Sequence, residues 1–238
     1  MFRFALPSIS AIVLALSLLT PAATPSSDSV WQPTIDPADF VATIDNQYFP
    51  LTPGTIYTYE GTSDGETQTS TFEVTTETRE VMGVLCTVVR DTVSVDGEVA
   101  EDTYDWFAQD NEGNVWYFGE ASSDYEDGVL TSTDGSWEAG IDGAYPGIVM
   151  PADPQVGAVY FQEFYVGVAE DKAEILEVGA TLDLPYGSFE DVLVTKEWNP
   201  LSPEVIEHKY YAPGVGLIME EAVQGEDERM ELVSISTQ

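Results

Sequence analysis

Apolar and polar positions alternate along most of the chain, in short runs that glycine-containing turns separate. Thr67–Thr78 is a threonine-rich alternating run, and the pairs Asp64-Gly65 and Asp96-Gly97 each lie between runs of β-branched and aromatic residues. Such pairs are the strongest short-range hairpin signal. Only Ala169–Glu177 could be helical, and it fits a strand equally well. The pattern predicts an all-β, predominantly antiparallel fold.

The two halves of the chain resemble each other. A spacing of 103 positions relates three residue pairs, and 104 positions relate further pairs thirty to fifty residues later. The matched pairs include Gly54 and Gly157, Tyr57 and Tyr160, Glu60 and Glu163, Gly83 and Gly187, Val88 and Val192, and Ala108 and Ala212. A nearly constant spacing indicates an internal duplication. We therefore predict duplicated antiparallel strands that form a strongly curved sheet or half-barrel.

The N-terminal residues have the pattern of a signal peptide. Arg3 precedes the apolar stretch Phe4–Leu19, and small residues and proline follow at Thr20–Ala23. The stretch is short for a membrane span, and Pro7 interrupts it; the alternative is an uncleaved N-terminal anchor. We predict a protein secreted to the periplasm or the cell exterior.

These features divide the chain into three parts. Residues 1–24 are the predicted signal peptide, and 25–46, which are rich in Pro, Ser and Thr, are predicted to be a tether. Residues 47–238 form one β domain with repeat halves at about 48–120 and 151–236. The connecting stretch 121–150 is predicted to be a long loop, and long loops in compact domains are often functional.

The chain is strongly acidic, with 43 Asp and Glu against 7 Lys and Arg and a net charge of −36. Such a surface repels nucleic acid and anionic membranes, so neither is a predicted partner. Adaptation to a saline medium explains the charge, because molar salt screens repulsion beyond roughly 3 Å. Calcium binding is the alternative. The scarcity of Lys along the whole chain favours the saline explanation.

Most catalytic chemistries lack the residues that they need. His208 is the single histidine and Cys86 the single cysteine, so a zinc site or a histidine-based triad has no support. Cys86 lies in an apolar run, which indicates a buried and inert thiol. A carboxylate-dependent polysaccharide hydrolase stays open as an alternative, since it needs only two Asp or Glu at the right separation.

The best candidate for a calcium site is the turn Asp110–Asn114. Asp110, Glu112 and Asn114 supply oxygen side chains around a glycine, but the distant bidentate Glu of an EF-hand is absent. The same residues also form a good turn without any metal. No other cofactor is predicted.

Three segments resemble a family of uncharacterised secreted bacterial all-β proteins: Asn46–Thr55, Tyr104–Tyr117 and Tyr211–Leu217. The last motif is also similar to one in bacterial lipoproteins that are built as half-barrels around an apolar ligand. The resemblance implies a concave sheet that carries an apolar molecule, and it brings no catalytic residues. This chain departs from the lipoprotein pattern because no cysteine lies near the cleavage region.

Together these observations predict a non-enzymatic binding protein that carries a small apolar or sugar-like ligand on an aromatic concave face. The candidate ligand-binding residues are Trp106, Trp116, Tyr117, Trp137 and Tyr210. Each would contribute stacking or apolar contact. The alternatives are the hydrolase and a calcium-binding structural surface protein.

Overall fold

The computed structural model describes residues 31–238, which consist of antiparallel strands and one 3-10 helix, Pro37–Asp39. The predicted signal peptide lies outside the described residues, as does the start of the predicted tether. The strands are β1 Phe40–Val41, β2 Thr55–Ser63, β3 Glu66–Val81, β4 Val84–Val95, β5 Glu98–Asp110, β6 Val115–Ala121, β7 Asp124–Glu126, β8 Val129–Ser132, β9 Trp137–Glu138, β10 Tyr145–Met150, β11 Val159–Phe161, β12 Glu163–Phe164, β13 Lys172–Leu184, β14 Gly187–Trp198, β15 Ile206–Ala212, β16 Gly216–Gln224 and β17 Glu228–Thr237. Within 31–238, no helix has the length and apolar character to cross a membrane.

Thirteen of these strands, β2–β6 and β10–β17, form a nearly closed, barrel-like antiparallel sheet. The strands β2 to β6 pair in sequence, β6 pairs with β10, and β10 pairs with β12. From β11, which precedes β12 directly, the sheet continues through β13 to β17. β17 then pairs with β2, where Thr237 lies opposite Thr55. The prediction of an all-β, strongly curved antiparallel sheet is confirmed.

Two-residue turns connect the long hairpins. Asp64-Gly65 joins β2 to β3 and Asp96-Gly97 joins β4 to β5, and all four residues have φ between 49° and 86°. Two consecutive positive φ angles define the turn whose twist matches that of the strands. Both turns therefore lie where the sequence predicted them. Over the stretch that fitted either a helix or a strand, residues from Lys172 onward belong to β13.

Two glycines allow close backbone contacts between neighbouring strands, one of them where the ring closes. A methyl group at Gly61 on β2 would overlap the carbonyl of Arg229 on β17. At Gly147 on β10, a methyl group would overlap the backbone of Gln162 between β11 and β12. The absence of a side chain at these positions allows the strands to approach closely.

The residues of the predicted tether that the structure describes, 31–46, contact the sheet. Phe40 pairs with Asp110 at the start of β1, and its ring packs on Phe118 at a centroid distance of 5.5 Å. The Trp31 indole donates to the carbonyl of Pro146 and stacks on Trp116. Packing of these apolar rings against the sheet outweighs the extended preference of the prolines around them.

The predicted loop 121–150 is also more ordered than its glycine content indicated. It contains β7, β8 and β9, and its last residues form β10, which becomes part of the ring by pairing with β6. Four of its five glycines, Gly128, Gly135, Gly140 and Gly143, lie in turns between these strands, each with positive φ. The internal duplication stays a prediction.

Candidate functional site

A cavity of about 50 Å³ lies inside the sheet. Aromatic rings form much of its wall: Phe49, Tyr57, Tyr59, Phe72, Phe107, Tyr117 and Tyr211. The wall residues Phe49, Pro50, Phe72, Val215 and Leu217 are only half-buried, and we call them the mouth of the cavity because they face both the cavity and solvent. A water molecule needs roughly 10–15 Å³ of such space, so the cavity has room for about four waters.

Polar side chains close the inner end of the cavity. Lys209, which is 4% exposed, lies there with Glu197, Gln162 and Tyr211. The Lys209 ammonium is 3.4 Å from the Glu197 carboxylate and 3.5 Å from both Glu207 and Glu220. We call these four residues the lysine cluster. One cation therefore faces three carboxyl groups, and their charge raises the pKa of Lys209 against the lowering effect of burial.

The hydrogen bonds of Glu197 fix the inner end of the cavity. The hydroxyl groups of Thr195 and Tyr211 donate to the same Glu197 oxygen, at 2.8 and 3.1 Å. Thr195 and Lys209 are cross-strand partners on β14 and β15, and Lys209 in turn lies opposite Glu220 on β16. Adjacent strands thus place the lysine cluster on one face of the sheet.

A second polar group lies where Tyr117 forms the cavity wall. The Tyr117 hydroxyl is 2.5 Å from Asp105 and 2.8 Å from Glu120, and all three residues are buried. A phenol has one hydrogen to donate, so the second short contact needs a proton on one of the carboxyl groups. Burial raises the pKa of Asp105, which favours its neutral form.

Other carboxyl groups are buried among the strands of the sheet. Asp91 accepts a hydrogen bond from Ser70, Glu101 accepts one from Thr103, and the Trp137 indole donates to Glu163. Burial raises the pKa of Asp91 well above its ordinary value and that of Glu101 to about 7. These acids are buried because the β-strand alternation directs their side chains away from solvent.

Two buried glutamines have polar atoms without a hydrogen-bond partner among the described residues. Gln162 and Gln68 are each 1% exposed. The Gln162 side-chain oxygen lacks a donor, and both side-chain polar atoms of Gln68 lack partners. Such atoms are rare in folded proteins because leaving a buried polar group unpaired costs free energy. Gln162 is also part of the cavity wall, so its oxygen is available to a bound molecule.

The predicted ligand-binding residues do not form one cluster. Tyr117 is part of the cavity wall, and Trp137 packs edge-on against it at 5.5 Å. Trp106 is buried beneath the guanidinium of Arg79, whereas Trp116 packs between Trp31 and Phe40. The Tyr210 hydroxyl donates to Glu221. Ligand contact by these five residues stays a prediction, and the cavity itself brings only Tyr117 to its wall.

The predicted calcium turn is held by its own hydrogen bonds. The Asp110 carboxylate accepts from the backbone nitrogens of Glu112 and Asn114, from the Asn114 side chain, and from the Trp116 indole. These hydrogen bonds are typical of a turn, and they explain the position of the Asp110 side chain without a metal ion. Across residues 31–238, no group of three or more His, Cys, Asp or Glu side chains has an arrangement suited to a metal ion.

Sequence reasoning missed most of the cavity wall. Phe49 lies in Asn46–Thr55, which was singled out only for its resemblance to secreted proteins, and Lys209 directly follows His208. The sequence could have indicated Lys209 only because basic residues are rare, since the chain has 7 of them. Cys86 is buried as expected, and burial raises the pKa of its thiol to about 12.

Comparisons with known proteins find likeness only among solved structures. An exported protein described as having a YmcC-like fold, from Bacteroides fragilis, is 14% identical to this chain; the match covers 81% of this chain and 100% of the other, with a TM-score of 0.47. A protein described as a lipoprotein, from Parabacteroides distasonis, is also 14% identical, with 80% and 99% covered and a TM-score of 0.38. No family model and no curated protein matches the sequence.

Proposed function

We propose that this protein is exported and that it binds a small molecule with an apolar body inside its barrel-like sheet. The observation that carries the proposal is the cavity of about 50 Å³, with aromatic walls, a solvent-facing mouth and a polar inner end. Ligand sites are typically concave and mostly apolar, with a few polar groups that fix the orientation of the ligand. Export rests on the signal-peptide pattern of residues 1–24.

The rings around the cavity support binding because they hold one another in place. Phe107 stacks on Tyr117 at 4.9 Å, and Phe49 packs edge-on against Phe107 at 5.4 Å. Phe49 also contacts Phe72 near the mouth. Rings that are fixed before binding lose little conformational entropy when a ligand enters.

A substitution that fills the mouth tests the proposal. Val215→Trp places a bulky ring over the cavity entrance, whereas Val156→Trp places the same ring at a position that is 66% exposed. The probe is n-butanol, whose four-carbon body fits the cavity. We expect wild type and Val156→Trp to bind it, as measured by chemical-shift changes at residues of the cavity wall, and Val215→Trp to show none.

Equal shift changes in all three proteins would show that butanol acts at the surface, and the proposal would then fail. Failure of the wild-type protein to bind any probe with an apolar body would have the same consequence. Circular dichroism of each variant checks that the sheet is intact.

A further inference from the structure

Gln162 and the lysine cluster together select the head group of the ligand. Three carboxyl groups surround the single ammonium of Lys209, so an anionic head group entering the cavity would meet more acceptor oxygens than hydrogen-bond donors. The side-chain oxygen of Gln162 can accept a hydrogen bond but cannot donate one. The inner end of the cavity therefore favours a head group that donates hydrogen bonds and carries no negative charge.

The aromatic wall favours positive charge in the same position. Ring faces attract cations through their quadrupole, and the attraction grows when water is excluded. Tyr59, Phe107 and Tyr117 are buried members of the wall. A compact ammonium group in the cavity would lie among these aromatic residues, with the acceptor oxygens of Gln162 and Glu197 in the same wall.

We infer that the ligand of this cavity is a small primary amine in its ammonium form, with its alkyl or aryl body toward Phe49 and its head toward Gln162 and Glu197. The inference rests on the proposed function, since it names the ligand class for the same cavity. The net charge of −36 also concentrates cations near the protein and so increases the rate at which such a ligand arrives.

Three probes with the same four-carbon body separate the head groups: n-butylammonium, n-butanol and butyrate. Titrations of the mature protein at pH 7 in 1 M NaCl would be followed by isothermal calorimetry. High salt screens the exposed charges but affects a buried contact much less. We expect n-butylammonium to bind about tenfold more tightly than n-butanol, because charge-assisted hydrogen bonds are stronger than neutral ones. Butyrate should bind most weakly.

Variants of the cavity then test where the ammonium lies. Gln162→Leu preserves the approximate volume of the side chain and should weaken n-butylammonium binding about tenfold. Glu197→Gln removes one negative charge and should bring the affinity for n-butylammonium down to that for n-butanol. If Glu197→Gln fails to fold, Gln162→Leu alone decides. Val215→Trp should abolish binding of the ammonium, and Val156→Trp should not.

The outcomes distinguish this inference from the proposed function. If n-butanol binds as tightly as n-butylammonium or more tightly, the amine assignment is overturned and the apolar-ligand function stays in place. The same follows if butyrate binds most tightly of the three probes. Ammonium binding that survives Val215→Trp would assign the cation to the acidic surface and overturn the inference. Absence of binding by all three probes would overturn both.

Discussion

The contact between Tyr117 and two carboxyl groups shows how one side chain stabilises an acidic interior. Asp105 and Glu120 both lie within 2.8 Å of the Tyr117 hydroxyl, at a site from which solvent is excluded. Without the hydroxyl, both carboxyl groups would lose their contact with Tyr117. The phenol thus separates two groups that would otherwise repel each other or compete for one proton.

Tyr117→Phe should lower the free energy of unfolding by about 2–3 kcal/mol, because it removes the two buried hydrogen bonds between the Tyr117 hydroxyl and the carboxyl groups of Asp105 and Glu120. Tyr186→Phe is the matched control: Tyr186 is 43% exposed, and its change should stay within about 0.5 kcal/mol. Urea denaturation followed by tryptophan fluorescence measures both. Equal stability of Tyr117→Phe and wild type would contradict the hydrogen-bond assignment.

Asp105→Asn provides an independent check of the shared proton. An Asn side chain always carries hydrogens, so it can donate to the Tyr117 oxygen while the Tyr117 hydroxyl donates to Glu120. We expect this variant to lose less than about 1 kcal/mol of stability at pH 7. A loss as large as that of Tyr117→Phe would mean that Asp105 is ionised in the folded protein.

At the scale of the strands, the pairing of β2 with β17 depends on Gly61. Gly61→Ala would force its new methyl group into the Arg229 carbonyl, so we expect the variant to lose about 3 kcal/mol of stability or to expose the edges of both strands. Gly187→Ala is the matched control, because a methyl group at Gly187 meets nothing within 4 Å and its φ is not positive. Thermal unfolding followed by circular dichroism compares the two, and equal midpoints would contradict a role for Gly61 in closing the ring.

The local parts of the fold were predictable from the sequence, whereas the closing contacts were not. Asp64-Gly65 and Asp96-Gly97 determine their turns through residues that are adjacent in the chain. The pairing of Thr55 with Thr237 joins distant residues, and nothing in either strand alone specifies its partner. The contacts of Trp31 and Phe40 with the sheet could not be predicted, because the tether prediction followed the overall composition of 25–46 and not its few aromatic rings.

The cavity was harder to predict than the sheet, for a related reason. In a chain with 43 acidic residues, the sequence around Glu197 or Glu220 does not distinguish a buried acid from an exposed one. The predicted rings illustrate the same limit. Trp116 and Tyr117 are adjacent, yet only Tyr117 is part of the cavity wall, because neighbouring side chains of a strand point to opposite faces.

At the scale of the whole molecule, the buried acids make stability depend on pH. Burial raises the pKa of Glu101 to about 7, and burial with nearby carboxyl groups raises that of Glu228 to about 10. In the unfolded chain a Glu has a pKa near 4.3. Between these values the folded protein binds more protons than the unfolded chain, so the free energy of unfolding falls as the pH rises.

We therefore expect the unfolding midpoint to be highest near pH 4–5 and to decrease through pH 7 and beyond. Glu101→Gln should remove on the order of 3 kcal/mol of the decrease between pH 4 and pH 8. The scan would be repeated in 1 M NaCl, which screens repulsion among the exposed carboxylates and leaves the effect of the buried ones. A midpoint that rises steadily from pH 5 to pH 9 in high salt would contradict the protonated interior.

The pairing of β17 with β2 also sets the order of events after synthesis. β2 is among the first strands to emerge and β17 is the last, so the ring stays open until nearly all of the described chain is available. Contacts between residues far apart in sequence form slowly, and unpaired strand edges can join those of other molecules in the interval. Molecules with strong negative charge repel one another during this interval. The acidity of this protein can thus prevent association between its molecules before β17 pairs with β2.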